Sequence, residues 1–335
     1  MKKSICIFLT ASIFFALTGC IRNGGVTSND SLGLTMSEYN RADGAPVYFT
    51  QDISPESLLR VYQALGAEPE GNIAVKITTG ESPNSNYLRP ELIKDLVQSL
   101  NGTLVESNTA YSGPRRSKER HLQLAETHGF TAIAEFDLQD ADGEISIPVI
   151  GGEALSENFV GITFPDYDYY IILSHFKGHA MAGYGGAIKN ASIGIASRRG
   201  KIIIHTGGAR TSDNPLNPAT LRSYQNNFLK SMAEANKSVA DSLEGNILYI
   251  NVMNRLSIDC DCDSNPKKPD MHDVGILASF DPVALDQACI DLIAADRKGE
   301  SLINRLNAQN GLLTLEHAEN IGLGTRYYTL VNIDD

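Results

Sequence analysis

The strongest constraint on this chain is the regular alternation of short apolar runs with helix-forming stretches in its first half. Ser54-Pro55-Glu56 opens a helix with a capping serine and a proline in the first turn, and Gly66 closes it. Ile73 to Thr78 alternates as a strand does and runs into a polar loop, Thr79 to Asn86. Arg89 to Leu100 reads as a helix, Thr103 to Glu106 as a strand, Asn108 to Arg116 as a loop, and Ser117 to His128 as a helix ended by Gly129. This rhythm belongs to a parallel sheet with covering helices. The expected fold class is α/β, a mostly parallel, Rossmann-like sheet in one domain or two lobes. Right-handed crossovers would then gather the Thr79, Asn108 and Ser174 loops at one edge of the sheet.

The second half continues the pattern. Tyr169 to Leu173 is an apolar run of buried-strand type, and Asp140 to Glu144 is a turn. Leu221, Tyr224, Phe228, Met232, Ala235 and Val239 fall at helical steps of three and four. Ile247 to Met253 and Gly275 to Phe280 read as strands around an irregular 254–274 stretch. Asp281-Pro282 starts a helix to about Asp296, short helices follow at 301–309 and 314–321, and Tyr327 to Val331 is a last strand.

Chemistry concentrates between Ser174 and His205, which hold three of the seven histidines and a Gly-rich run, Gly183-Tyr184-Gly185-Gly186. Glycine suits places where backbone turns tightly or approaches a ligand, and a loop at the end of a buried strand is where an open α/β sheet binds ligands. The alternative is a satisfied turn with solvated charges. Arg115 and Arg116 are candidates to hold an anionic substrate, since guanidinium forks suit carboxylates and phosphates; a solvated loop is the competing reading. His121, His128 and His317 are expected at surface or helix-end positions, and Cys289 as a small buried hydrophobe.

The amino terminus carries a different message. Met1-Lys2-Lys3, an apolar core from Ser4 to Leu17 and Leu17-Thr18-Gly19-Cys20 make a secretory signal of lipoprotein type, too short to span a bilayer. The expectation is a signal peptide over 1–19, a tether over 20–44 lipidated at Cys20, and a single α/β domain over 45–335. The protein would then be an exported bacterial lipoprotein of the cell envelope, at the outer membrane facing the periplasm or the surface. The formal charge of -12 becomes more negative once Lys2 and Lys3 leave, which disfavours a nucleic-acid partner.

Three cysteines then remain, Cys260, Cys262 and Cys289. On an extended chain Cys260 and Cys262 share a face while Asp261 points the other way. They are candidate ligands for zinc, iron or nickel, with His272 ten residues on, or a redox dithiol, or structural. No GxSxG, P-loop, HExxH or GxGxxG pattern is present, so serine hydrolase, ATPase and simple NAD chemistry have no motif behind them.

Ser174-His175-Phe176-Lys177-Gly178-His179, Gly183-Tyr184-Gly185-Gly186-Ala187-Ile188-Lys189-Asn190 and Gly200-Lys201 together resemble the signature of the family called domain of unknown function 362. Tyr87 to Glu91, Gly113-Pro114-Arg115, Cys260-Asp261-Cys262 and Ser279 to Asp286 add to the likeness. Many relatives carry an inserted pair of four-iron ferredoxin clusters after the position of His205. Here His205 to Leu221 contains no cysteine, so no iron–sulfur cluster is expected. A more distant likeness is to the nickel-pincer lactate racemases, matched by His179, Ala182-Gly183-Tyr184-Gly185-Gly186, Lys189 and His205. That resemblance implies His179 as a proton-transfer group, Lys189 as a cofactor anchor and His205 as a metal ligand. The racemases' other catalytic histidine has no counterpart in Asn108 to Arg116, where Tyr111 stands nearest. A signal without twin arginines also implies unfolded export, which would leave a cytoplasmic nucleotide cofactor behind.

The expected site follows. His179, Lys189 and Lys177 are the catalytic candidates, and Gly185, Gly186, Asn190 and Arg115 the ligand-binding ones. Cys260, Cys262, His175 and His205 are the candidate metal ligands, and the expected partner is a small anionic molecule. The other readings are a lipoprotein that holds a small ligand without turning it over, and a redox dithiol at Cys260 and Cys262.

Overall fold

In a computed structural model that describes residues 37–210 and 221–334, twelve strands and nine helices alternate much as the apolar runs predict. The chain enters on β1 (Asn40–Thr50), which starts ahead of the expected domain boundary at 45. It continues through α1 (Pro55–Ala64), β2 (Ile73–Lys76), α2 (Pro90–Ser99), β3 (Thr103–Glu106), α3 (Lys118–Thr127) and β4 (Phe136–Leu138). A hairpin of β5 (Glu144–Pro148) and β6 (Glu157–Gly161) precedes β7 (Tyr169–His175). The motif-rich stretch follows as a small hairpin, β8 (Lys177–His179) with β9 (Gly183–Gly185). Then come a short α4 (Ala187–Lys189), a π-turn at Asn190–Gly194 and α5 (Arg198–His205). After α6 (Gln225–Ser242) come β10 (Ile247–Met253), β11 (Gly275–Ser279), α7 (Pro282–Ala295), α8 (Glu300–Ala308), α9 (Leu313–Asn320) and β12 (Tyr328–Asn332).

Eight strands form one sheet in the order β12-β1-β11-β10-β7-β2-β3-β4. Every neighbouring pair is parallel except the two made by β11, so one strand is reversed in an otherwise parallel sheet. This is the α/β class the sequence predicts. Its central strands are buried from end to end, as a sheet covered on both faces requires. One core layer packs Leu58, Val61, Ile93, Leu96 and Val97 of α1 and α2 against Val75, Ile171, Leu173 and Ile250. A second cluster joins Phe159, Ile203 and Ile204 to Phe228, Leu229 and Met232 of α6. The described residues fall into one compact unit.

Strand order decides where a ligand can sit. From β2 the chain steps outward to β3 and β4, then returns to place β7 on the other side of β2. The loops after β2 and β7 therefore diverge, leaving a crevice at the carboxyl ends of these strands, the usual ligand position in open α/β sheets. The 1–36 segment, with the expected signal and lipidation site, lies outside the described residues; so does the expected turn at 214–218. Among the described residues no helix is long and apolar enough to cross a membrane.

Candidate functional site

The crevice holds a cavity of about 730 Å³. Its walls come from the ends of β2 and β3, the 107–115 loop, β7 and its following hairpin, α4, α5 and the 259–264 loop. The three loops expected to gather do gather here. His179, Lys189 and His205, the three polar positions of the spacing motif, all line the same cavity. So do Lys177, Gly185, Gly186, Asn190, Arg115, Cys260, Cys262 and His175. What each can do there depends on which of its polar atoms are already engaged.

One wall is fully paired. Arg115, 3% exposed, donates through Nε to Glu81 Oε2 (3.1 Å), through Nη1 to Glu106 Oε1 (3.3 Å) and through Nη2 to the Tyr111 hydroxyl (2.5 Å). Its fork is spent inside the protein, so it does not serve as the free anion clamp expected from sequence. Glu106 also accepts from the Thr79 amide (2.6 Å) and faces His121 Nε2 at 2.9 Å. Burial pushes the Glu106 carboxyl up, but the interactions with His121 and Arg115 beside it outweigh that cost and hold it well below its usual range. Lys177, 1% exposed, is tied to Asp261 Oδ1 (2.6 Å) and the Asn86 carbonyl (2.7 Å). His175 faces Asp261 Oδ2 (3.1 Å) with Nδ1 and the Asn254 carbonyl (2.7 Å) with Nε2. With both nitrogens taken, His175 has no lone pair for a metal, and Lys177 has its charge neutralised at home. Two expectations for helix-borne histidines also change. His121 is fully buried against Glu106, and His317 is buried with Nε2 2.9 Å from Glu234, because each meets a carboxylate from a distant element. His272 is exposed and pairs with Asp296 (3.0 Å).

The opposite wall is unpaired. Lys76, Lys189 and Lys201 line the cavity, and among the described residues none has a carboxylate within ion-pair distance. Lys76 Nζ donates to the Ile77 carbonyl (2.5 Å) and Asn190 Oδ1 (3.2 Å), and Lys201 Nζ to the Ala196 carbonyl (2.5 Å). Burial, only partly offset by the more distant Glu106, Asp140 and Asp261, lowers Lys76 to about 7 and Lys189 and Lys201 to about 8. Asn190, expected to bind ligand, is instead a bracket. Its amide donates to the Lys76 and Leu173 carbonyls and the Ser174 hydroxyl, and its oxygen holds Lys76. Gly194 leaves room for this pair, since a Cβ there would sit 2.6 Å from Asn190 Oδ1 and 3.0 Å from Lys76 Cε.

The Gly-rich loop has an internal purpose as well. The amides of Ala187 and Ile188 donate to Asp286 (2.8 and 3.0 Å), and a Cβ at Gly186 would lie 2.3 Å from that carboxylate. The α4 amino terminus is thus satisfied by the protein. Gly178 keeps the β8 backbone against the loop of Ile258, where a Cβ would meet the Ile258 carbonyl at 2.5 Å. That approach brings His179 beside Cys260 and Cys262.

The two remaining histidines are set differently. His179 Nδ1 accepts from the amides of Met181 (3.2 Å) and Ala182 (2.9 Å), so the ring proton sits on Nε2. Burial and the Lys189 charge keep its pKa well below normal, and the ring is neutral. His205 Nδ1 instead faces the Lys201 carbonyl (2.5 Å), which can only accept, and this leaves Nε2 as the lone-pair nitrogen. Burial lowers its pKa to about 4. A ring nitrogen of His179 and the sulfurs of Cys260 and Cys262 lie within 4.8 Å of one another, the arrangement of a small metal cluster. The two sulfurs are joined as a disulfide, however, so in this form they offer a metal no thiolate.

Fold and site together define an α/β protein with a charged pocket, lined by both basic and acidic side chains, at the switch point of its sheet. The chain belongs to the family described as domain of unknown function DUF362, whose model matches residues 73–291. No curated protein matches it. Among solved structures it is similar to the lactate racemase apoprotein from Thermoanaerobacterium thermosaccharolyticum, at 13% identity and a TM-score of 0.38 over 62% of this chain and 50% of that one. It is also similar to a protein from Thermotoga maritima, at 10% identity and a TM-score of 0.41 over 76% of this chain and 58% of that one. The chain thus spans about half the length of the first and under two thirds of the second.

Proposed function

We propose that the pocket binds a small organic or inorganic anion through Lys76, Lys189 and Lys201. The observation that carries this reading is the pairing pattern: among the described residues Arg115 and Lys177 are bonded to buried carboxylates, while these three lysines line the same cavity with none at ion-pair distance, Glu106, Asp140 and Asp261 acting on them only from farther off. A buried ammonium lacking a counter-charge is costly, and an anionic ligand offsets that cost. The neutral Nε2–H of His179 adds a hydrogen-bond donor suited to an oxyanion. Lysines near neutral pKa can also pass a proton to or from a bound carboxylic substrate, which is the route by which this site would become catalytic. Calorimetric titration with succinate tests the binding. Saturable one-to-one binding that Lys189→Gln abolishes supports the reading; binding unchanged in that variant removes it.

A second reading is a soft metal ion held by reduced Cys260 and Cys262. It is favoured by the 4.8 Å cluster and by His205, whose backbone-bonded Nδ1 is the arrangement that orients a histidine ligand. His179 fits less well, because its lone pair is used by two amides. The metal would supply Lewis acidity beside the bound anion. Elemental analysis of protein purified under reducing conditions decides it: near-stoichiometric zinc, iron or nickel supports the site, and none after reconstitution removes it.

We place the protein in the cell envelope as a lipoprotein anchored through Cys20, on the strength of the sequence from Met1 to Cys20. A disulfide between Cys260 and Cys262 suits an oxidising compartment. Mass spectrometry of the mature amino terminus tests this: a diacylglyceryl Cys20 is expected, and an intact Met1 would contradict it.

A further inference from the structure

The Cys260–Cys262 disulfide is poorly explained as a staple. Its cysteines are two residues apart, and so short a closed loop removes little entropy from the unfolded chain. The loop is already held by the residue between them. Asp261 is bound through its carboxylate by Lys177 and His175, and its carbonyl accepts from the Glu81 amide (2.8 Å) and the Asn84 side chain (3.3 Å). Asp261 is thus held by contacts that do not involve the sulfurs, and the cysteines on either side of it line the cavity. Both cysteines are part-exposed and line the same pocket as the three unpaired lysines. Of the two flanking carboxylates, Asp259 is paired with Arg305 (3.2 Å) and Asp263 accepts from the Asn265 amide (2.8 Å).

We propose that this disulfide exchanges with a small thiol bearing a carboxylate, whose acid group is held by the lysine wall while its sulfur reaches Cys260 or Cys262. The inference rests on the anion-binding reading and names the ligand's chemical class. In the first step the ligand thiolate attacks one Sγ, the Sγ–Sγ bond breaks, a mixed disulfide forms, and the departing Sγ takes up the proton the incoming thiol released. A second thiol then attacks the ligand sulfur of the mixed disulfide. The products are one small disulfide and the Cys260/Cys262 dithiol, so two thiols are oxidised and one disulfide is reduced. The reverse sequence, with the small disulfide as oxidant, restores the bond.

The test compares 3-mercaptopropionate with its uncharged amide as reductants of the full chain, reading new thiols by alkylation and mass spectrometry. We expect two labels per chain, on Cys260 and Cys262, and reduction about tenfold faster with the carboxylate, the effect of one charge-assisted contact. Lys189→Gln and, separately, Lys201→Gln should erase that preference, bringing the ratio of the carboxylate's rate to the amide's to about one. A Cys262→Ser variant treated with the small disulfide should gain one adduct at Cys260. Equal rates for the two thiols, or a preference that survives both lysine variants, would overturn the proposal, as would labels on Cys260 and Cys262 before any reductant is added. Succinate binding measured on the same samples separates the failures. Succinate bound without thiol preference ends the exchange alone, whereas no succinate binding ends both readings.

Discussion

The two walls of the pocket are built from the same residue types and do opposite things. On one, Arg115 and Lys177 meet Glu81, Glu106 and Asp261 at hydrogen-bond distance, and each charge is cancelled within the fold. On the other, Lys76, Lys189 and Lys201 are equally enclosed, but among the described residues Lys76 and Lys201 bond only to carbonyl or amide oxygens and none of the three has a carboxylate at ion-pair distance. The paired wall is satisfied within the fold, and the unpaired wall is where the proposed anion would bind. Cationic residues in a pocket are therefore informative only once their partners are known.

The largest effect should come from breaking the paired wall. Glu106→Ala would take one of the two carboxylates from Arg115 and remove the partner of His121 Nε2 and of the Thr79 amide, and should cost about 3–5 kcal/mol in a urea unfolding experiment, the usual penalty for breaking a buried pair. On the unpaired wall the sign should invert. Lys76→Met removes a charge that the folded state holds poorly, and should stabilise the protein by about 0.5–2 kcal/mol while weakening anion binding. Calorimetry and thermal unfolding on one sample would show both. Binding should follow in size: Lys189→Gln is expected to weaken succinate about tenfold to a hundredfold, as loss of a charge-assisted contact predicts.

The pH dependence sharpens the contrast. Lys76 has a pKa of about 7 when folded against an ordinary value of 10.5. Between those values the unfolded chain binds more protons, so stability rises with pH from about 7 to 10.5 through this group. Lys189 and Lys201 act in the same sense from about 8 upward. The slope should flatten in Lys76→Met when unfolding free energy is followed from pH 7 to 10. A further change on this wall, indirect because it touches no ligand, is Gly194→Ala. Its Cβ would press on Asn190 Oδ1 and Lys76 Cε, and it should lower anion affinity with a stability cost of about 1–3 kcal/mol, read by the same two measurements.

Much of the fold could be read from the sequence because it depends on local signals. Apolar runs marked β2, β3, β7, β10 and β11, proline and glycine marked helix ends, and the α/β rhythm implied that the loops converge. β1 was missed because Asn40 to Ala45 is polar and pairs with β12 only across the whole chain. The site was legible in location but not in roles. Whether Arg115 or Lys189 is free depends on Glu81 and Glu106, which lie on other elements and leave no spacing signal. Lys76 went unnoticed inside a strand, although a lysine in a fully buried parallel strand is the anomaly that could have marked it. His121 and His317 looked peripheral because their carboxylate partners, too, are remote in sequence.

The most direct test of the unpaired wall is sulfate binding by calorimetry at pH 6.5 and pH 9.5, since sulfate keeps its charge across that range. If the three lysines hold the anion, binding is saturable with one site at pH 6.5 and is largely lost at pH 9.5, above the values of about 7 and 8 at which they deprotonate. Equal affinity at both pH values, or no saturable binding at pH 6.5, would contradict the account.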